Sequence, residues 1–196
     1  MKKSSFLAWI LRMNLTKRWS PMHLVKEEDV AEHSHQVAVI SHLLATVRNV
    51  YCGGDINPER AATVALYHEV SETKLQDINH VTKYSTPALT AEFKKIEDMA
   101  ELECLDSLPV KLQPLFKELL VQKDVDAEYK KLVKAADVIA AYFKACDELK
   151  FHNPEFISVK KRLGDKVEAY KIEMKEVKIF MDMFEEGCLA NIDDLS

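Results

Sequence analysis

Apolar residues recur every three or four positions along most of this chain, the spacing that turns one face of an α-helix into a continuous apolar stripe. That periodicity predicts helices near 4–14, 29–50, 58–73, 87–106, 111–121, 126–151 and 154–185. Only four glycines and six prolines occur in the chain, and most of them lie between these stretches or at their first residue. Asn57-Pro58, Thr86-Pro87 and Asn153-Pro154 each place a side-chain cap before a proline at the first helical position, where the missing N–H costs nothing. They mark three helix starts. No alternating strand pattern, internal repeat, low-complexity segment or linker interrupts the series, so the fold class is all-α and residues 1–196 read as a single domain. In the last predicted helix Phe156, Val159, Leu163, Val167, Tyr170, Met174, Val177, Met181 and Phe184 form a stripe that either packs within the subunit or lines a dimer seam, the former being the simpler expectation. Asn191 to Ser196 are polar and expected to fray.

Composition narrows the function classes. A net charge of −5 with both signs interspersed leaves no basic stripe to neutralise a polynucleotide backbone, so no nucleic-acid partner is expected. Met1 to Leu11 imitates a signal peptide, but the apolar run is short and Arg12 ends it; with no other long apolar stretch, no membrane association and a cytoplasmic location are expected. Cys52, Cys104, Cys146 and Cys188 form no C-x-x-C pair, which points to reduced structural thiols rather than a zinc knuckle or redox motif.

Polar residues on buried faces supply the candidate chemistry. His33 shares its helix face with Val37, Ile40, Ser41 and Leu44. Ala61, Val64 and Ala65 lead on the next helix to His68, Glu69 and Glu72, with His68 and Glu72 one turn apart. Asp137 sits among Val133, Ala136, Ala140 and Ala141, where an uncompensated carboxylate is costly. Two imidazoles and two carboxylates, His33, His68, Glu69 and Asp137, suit one borderline divalent ion such as Co, Mn, Fe, Ni or Zn, assembled between helices. Spacing alone leaves an ordinary reading open, because buried histidines and salt-bridged acids are common in helical proteins.

A resemblance shifts that balance. The order His33, then His68-Glu69, then Ala135-Ala136-Asp137 resembles the HD-domain phosphohydrolases, whose ligands run H…HD…D. Arg18-Trp19-Ser20-Pro21-Met22, Glu32-His33-Ser34, Gly53-Gly54-Asp55-Ile56-Asn57, Glu59-Arg60 and Asp77 followed by Val81-Thr82-Lys83-Tyr84 resemble the bacterial 5'-deoxynucleotidases of the YfbR type over most of the chain. The resemblance implies an HD-domain helical bundle and a cytoplasmic homodimer. It also implies a cobalt-preferring metal enzyme that hydrolyses 2'-deoxyribonucleoside 5'-monophosphates.

By the same resemblance, His33, His68, Glu69 and Asp137 are the metal ligands, and His33, Glu69 and Asp137 also adjoin the substrate. Glu72 matches the family's catalytic acid, and its place one turn after His68 suits it to act on a metal-side water as general base or on the leaving oxygen as general acid. Arg18 orients the phosphate, as a planar, permanently charged guanidinium can. Trp19 lies against the sugar, leaving no room for a 2'-hydroxyl. Asp77 accepts a hydrogen bond from the 3'-hydroxyl, and Ile78, Asn79 and His80 line the same loop. Outside the family Arg18 reads as a solvated charge, Trp19 as core, Asp77 as a loop acid and Glu72 as a surface carboxylate.

The chain departs from the pattern at two places. Glu69 stands where the family has Asp, which keeps charge and ligand type while moving the carboxylate outward. Leu75-Gln76-Asp77-Ile78-Asn79-His80-Val81 replaces a Thr-Gly-Asp-Leu-Pro-Thr-Pro-like run, and loss of the glycine and both prolines is expected to change the loop's shape. Two other functions fit such a loop: a deoxynucleoside triphosphate triphosphohydrolase like the phage HD enzymes that act on dATP, and a weakly active nucleotide-binding protein.

Overall fold

The three expected caps set the frame of the molecule. In the computed structural model, which describes residues 3–195, the Asn57 side chain accepts the N–H of Arg60 and Thr86 that of Leu89, opening α3 (Pro58–Leu66) and α6 (Pro87–Asp106). Asn153 accepts the N–H of Glu155 and opens a 3-10 turn that runs into α9 (Ile157–Glu173). The other helices are α1 (Phe6–Ile10), α2 (Val30–Cys52), α4 (Glu72–Leu75), α5 (His80–Lys83), α7 (Gln113–Leu120), α8 (Ala127–Lys150) and α10 (Lys175–Leu189). Gly53 follows α2 with φ +71°, the left-handed conformation that glycine adopts without a Cβ penalty and that commonly closes a helix. A single isolated bridge, Lys17 with Asp29, is the β pairing among the described residues.

The helices group into two compact units, to both of which α2, α3 and α8 contribute residues. The first comprises the amino-terminal residues through Met22, Glu27–His35 and Thr63–Lys130. Its core gathers Phe6, Val70, Cys104, Leu105, Leu108, Leu120 and Val121. Phe6 meets Phe116 edge to face at 5.7 Å, so the short amino-terminal apolar run serves as core in this unit. Met1 and Lys2, part of the signal-like run, and Ser196 in the expected frayed tail lie outside the described residues.

The second unit comprises His23–Lys26, Gln36–Ala62 and the residues from Lys131 onward. Most of the carboxy-terminal stripe is buried there: Phe156, Val159, Leu163, Val167, Met174, Val177 and Met181, joined by Phe180. The stripe therefore packs within the chain. A hydrogen-bonded hub lies in the same unit, where the buried Glu148 carboxylate accepts from the N–H groups of Val25 and Lys26, from Lys144 Nζ and from Asn153 Nδ2. Burial alone would raise the pKa of Glu148, yet these donors hold it at about 2. The four cysteines are all reduced, Cys104 and Cys146 being buried.

Three of the expected helices require correction. The stretch 154–185 breaks at Met174, whose φ −127° and ψ 106° end α9 and start α10. A continuous helix of that length would run about 48 Å, whereas the break brings α10 into contact with α9. The stretch 58–73 stops being helical at Leu66, and Tyr67 to Ser71 form a series of turns before α4. The His68 ring contributes to that break, since its Nδ1 reaches the Ala65 carbonyl at 2.7 Å and competes for a helical acceptor. The stretch 4–14 divides into α1 and a 3-10 turn at Met13–Leu15.

Candidate metal centre

His33 is fully buried in the first turns of α2, whose amino terminus is secured by Asp29: its side chain accepts the N–H of Glu32 and its carbonyl the N–H of His33. His68 and Glu69 sit in the turns that follow α3. The two imidazole rings lie 5.5 Å apart between centroids. His33, His68 and Glu69 present ligand atoms within 4.8 Å of one another, a cluster on the scale set by metal–donor bonds of about 2.0–2.2 Å.

The tautomer of His68 suits this cluster. Nδ1 donates to the Ala65 carbonyl, which leaves the lone pair on Nε2. Nε2 is buried and 3.5 Å from Glu69 Oε1, without a hydrogen bond among the described residues. A buried acceptor next to a carboxylate is poorly accommodated unless a proton or a cation stands between them. The donor set of two imidazoles and one carboxylate fits a borderline divalent ion, and the bond that His68 Nδ1 donates to the Ala65 carbonyl orients the ring as a second layer of ligation commonly does.

Glu72 opens α4, three residues past Glu69. Its Oε2 is buried and makes no hydrogen bond among the described residues. Burial raises its pKa well above the ordinary range, and the carboxylates of Glu69 and Asp77 push the same way against the nearby Arg18 guanidinium.

Arg18, Trp19, Asp77 and a fourth residue, Glu28, form a connected group in the first unit. Arg18 Nε donates to Glu28 Oε2 at 3.1 Å, and Trp19 Nε1 donates to the same oxygen at 2.6 Å. The guanidinium carbon lies 5.6 Å from the centroid of the Trp19 ring. Trp19 has φ +64°, and its backbone N–H donates to Asp77 Oδ2 at 3.1 Å. Burial raises the pKa of Asp77, opposed by Arg18 and by the bond from Trp19. Ile78 is half-buried, Asn79 caps α5 by accepting the N–H of Val81, and His80 is exposed at the first position of that helix.

Asp137 belongs to the second unit, on α8, half-buried between Ala136 and Val138, both buried. Its charge acts on two groups of α9: it raises the pKa of Tyr170 together with burial, and it opposes the lowering of Lys166 that burial and nearby cations cause. Glu28 was not anticipated from the sequence. It stands in the run Lys26-Glu27-Glu28-Asp29, which reads as solvated charge, and only its neighbourhood to the start of α2 hinted otherwise.

A family model described as 5'-deoxynucleotidase YfbR-like matches residues 5–188. A 5'-deoxynucleotidase of Vibrio cholerae is 38% identical over 196 residues, covering 100% of both chains. The 5'-deoxynucleotidase YfbR of Escherichia coli is 38% identical over 100% of this chain and 98% of its own. Among solved structures, an HD-domain phosphohydrolase from Listeria innocua superposes with TM-score 0.82 at 23% identity, over 96% of this chain and 90% of that one. The cyanophage S-2L HD phosphohydrolase DatZ, bound to dA and one catalytic Zn2+ ion, superposes with TM-score 0.67 at 19% identity, over 92% and 95%. At these identities the superpositions establish the helical HD-domain fold.

Proposed function

The chain belongs to the YfbR-like 5'-deoxynucleotidase family, and we propose that it is a divalent-metal-dependent phosphohydrolase that removes the 5'-phosphate from 2'-deoxyribonucleoside 5'-monophosphates. The observation that carries this reading is the cluster of His33, His68 and Glu69 with the buried Glu72 carboxyl three residues further on. The full-length likeness to two named 5'-deoxynucleotidases selects a deoxymonophosphate over the triphosphate reading.

In this proposal His33, His68 and Glu69 hold one ion, with Asp137 of α8 as the fourth ligand; cobalt is the preferred metal, and Mn, Zn, Fe or Ni can substitute. Bound there, such an ion polarises a phosphate oxygen or a water. Arg18 grips the phosphate oxygens and stabilises their charge as the ester bond breaks. Trp19 lies against the deoxyribose and excludes a 2'-hydroxyl, Asp77 accepts from the 3'-hydroxyl, and Ile78, Asn79 and His80 border the nucleoside. Glu72 handles the proton, as general base toward a water at the site or as general acid toward the leaving 5'-oxygen. The longer Glu69 side chain serves in place of the family's Asp with unchanged charge.

We further propose that residues 1–196 work as one HD domain, because the family match runs without interruption through both compact units. The enzyme acts as a cytoplasmic homodimer in this reading, as the resemblance to the YfbR-type enzymes implies.

Substitution of Glu72 tests the assignment. Glu72→Ala is expected to bind metal and deoxynucleotide as the parent protein does while losing turnover. Undiminished turnover in that variant would remove Glu72 from the mechanism.

A further inference from the structure

Glu28 is 3% exposed, an unusual burial for a carboxylate unless charge and hydrogen bonds compensate it. Its compensation comes from two side chains that the proposed reaction uses. One oxygen, Oε2, accepts from Arg18 Nε at 3.1 Å and from Trp19 Nε1 at 2.6 Å. The main chain repeats the link, since the N–H of Arg18 donates to the Glu28 carbonyl at 3.0 Å and the Lys17–Asp29 bridge flanks it. The guanidinium and the indole also face each other at 5.6 Å. Carboxylate, guanidinium and indole therefore form one rigid group.

We propose that Glu28 is a positioning residue that sets the phosphate-orienting guanidinium of Arg18 and the sugar-selecting indole of Trp19 together. The proposal rests on the reading of those two residues given above. A bond at Nε fixes the plane of the guanidinium, and a bond at Nε1 fixes the rotation of the indole about its side-chain torsions. Because both bonds end on one oxygen, a change at Glu28 disturbs phosphate orientation and the choice of deoxyribose at once. The short Trp19 bond also helps to hold a residue whose positive φ is unfavourable for a bulky side chain.

The test uses the full-length, metal-loaded protein and compares kcat and KM for a deoxyribonucleoside and a ribonucleoside 5'-monophosphate. Glu28→Gln keeps the volume and removes the charge. The expected result is a fall in kcat/KM on the deoxynucleotide on the order of 10²-fold, the penalty typical of a misplaced reacting group, together with a lower preference for deoxyribose. A purely structural role would reduce the amount of folded enzyme and leave that preference unchanged. In an Arg18→Met background the added Glu28→Gln change is expected to lower the deoxyribose preference without a further loss of kcat. The double variant replaces a buried ion pair by two neutral side chains, so it remains measurable where the single variant fails to fold. A folded Glu28→Gln enzyme with unchanged kcat/KM and unchanged preference overturns the inference, as does a double variant whose losses of kcat are additive. Parent enzyme without activity on either nucleotide would instead refute the proposed function, and the inference with it.

Discussion

Asp77 Oδ2 accepts a hydrogen bond from the backbone N–H of Trp19 at 3.1 Å and so joins two turns that lie 58 positions apart. The donor residue and Gln76, which precedes the acceptor, both have positive φ. Two unfavourable backbone conformations are thereby tied to one side-chain contact.

Removing that acceptor has a predictable cost. Asp77→Ala is expected to lower unfolding free energy by roughly 1–2 kcal/mol, the range for a part-buried N–H left without its partner, and to lower kcat/KM. Asp77→Asn retains an acceptor oxygen and is expected to lose much less stability. Denaturant titration of the two variants beside the parent checks the ordering.

Gln76 has φ 66° and ψ 166°, a combination essentially reserved for glycine. It is also the position at which the resembled family carries glycine, so the chain keeps a glycine conformation without the residue that tolerates it. Gln76→Gly is expected to raise stability by about 1 kcal/mol, the relief of strain exceeding the entropy glycine adds to the unfolded chain. A thermal midpoint at or below that of the parent would contradict this.

Much of the frame was legible in the sequence because its signals are local. Asn57 and Thr86 cap the helices they were expected to cap, and Asn153 caps the 3-10 turn that leads into α9. His33 could be marked because it lies on an apolar face, and His68-Glu69 because the resemblance gave it meaning. Met174 was not legible as a break, since no glycine or proline stands there and tertiary packing ends the helix. The four residues of α5 are too few to show a period. Glu28 was hidden for another reason: a charge run looks the same whether its members face water or, like Glu28, are buried against a guanidinium and an indole.

Glu101 gives the fold a pH dependence that can be measured apart from the metal cluster. It is buried, its carboxyl is pushed up to about 7 by desolvation, and its Oε2 accepts the N–H of Gln122. A carboxyl whose pKa is raised on folding favours the folded state least when ionised, so stability falls as pH rises from about 4.5 to about 7 and levels off beyond. Glu101→Gln keeps an acceptor for Gln122 and is expected to be more stable than the parent at pH 8 by roughly 1–2 kcal/mol. That gain should vanish near pH 4, and a pH-independent difference would contradict it.

Metal content separates the cluster from ordinary buried histidines. His68→Ala is expected to reduce bound divalent metal far below one equivalent. His42→Ala, an exposed change on the same helix as His33, should leave it intact. Elemental analysis after loading with cobalt, manganese or zinc gives the answer, and equal content in the two variants would place the metal elsewhere.

The central claim is the reaction, and product analysis tests it most directly. The protein, loaded in turn with Co, Mn or Zn, is incubated with deoxy- and ribonucleoside mono- and triphosphates, and orthophosphate is resolved from tripolyphosphate. A metal-dependent 5'-deoxynucleotidase is expected to release orthophosphate and a deoxynucleoside from deoxymonophosphates, with ribonucleotides left largely intact. Tripolyphosphate from a triphosphate, or no product with any of the metals, would contradict it.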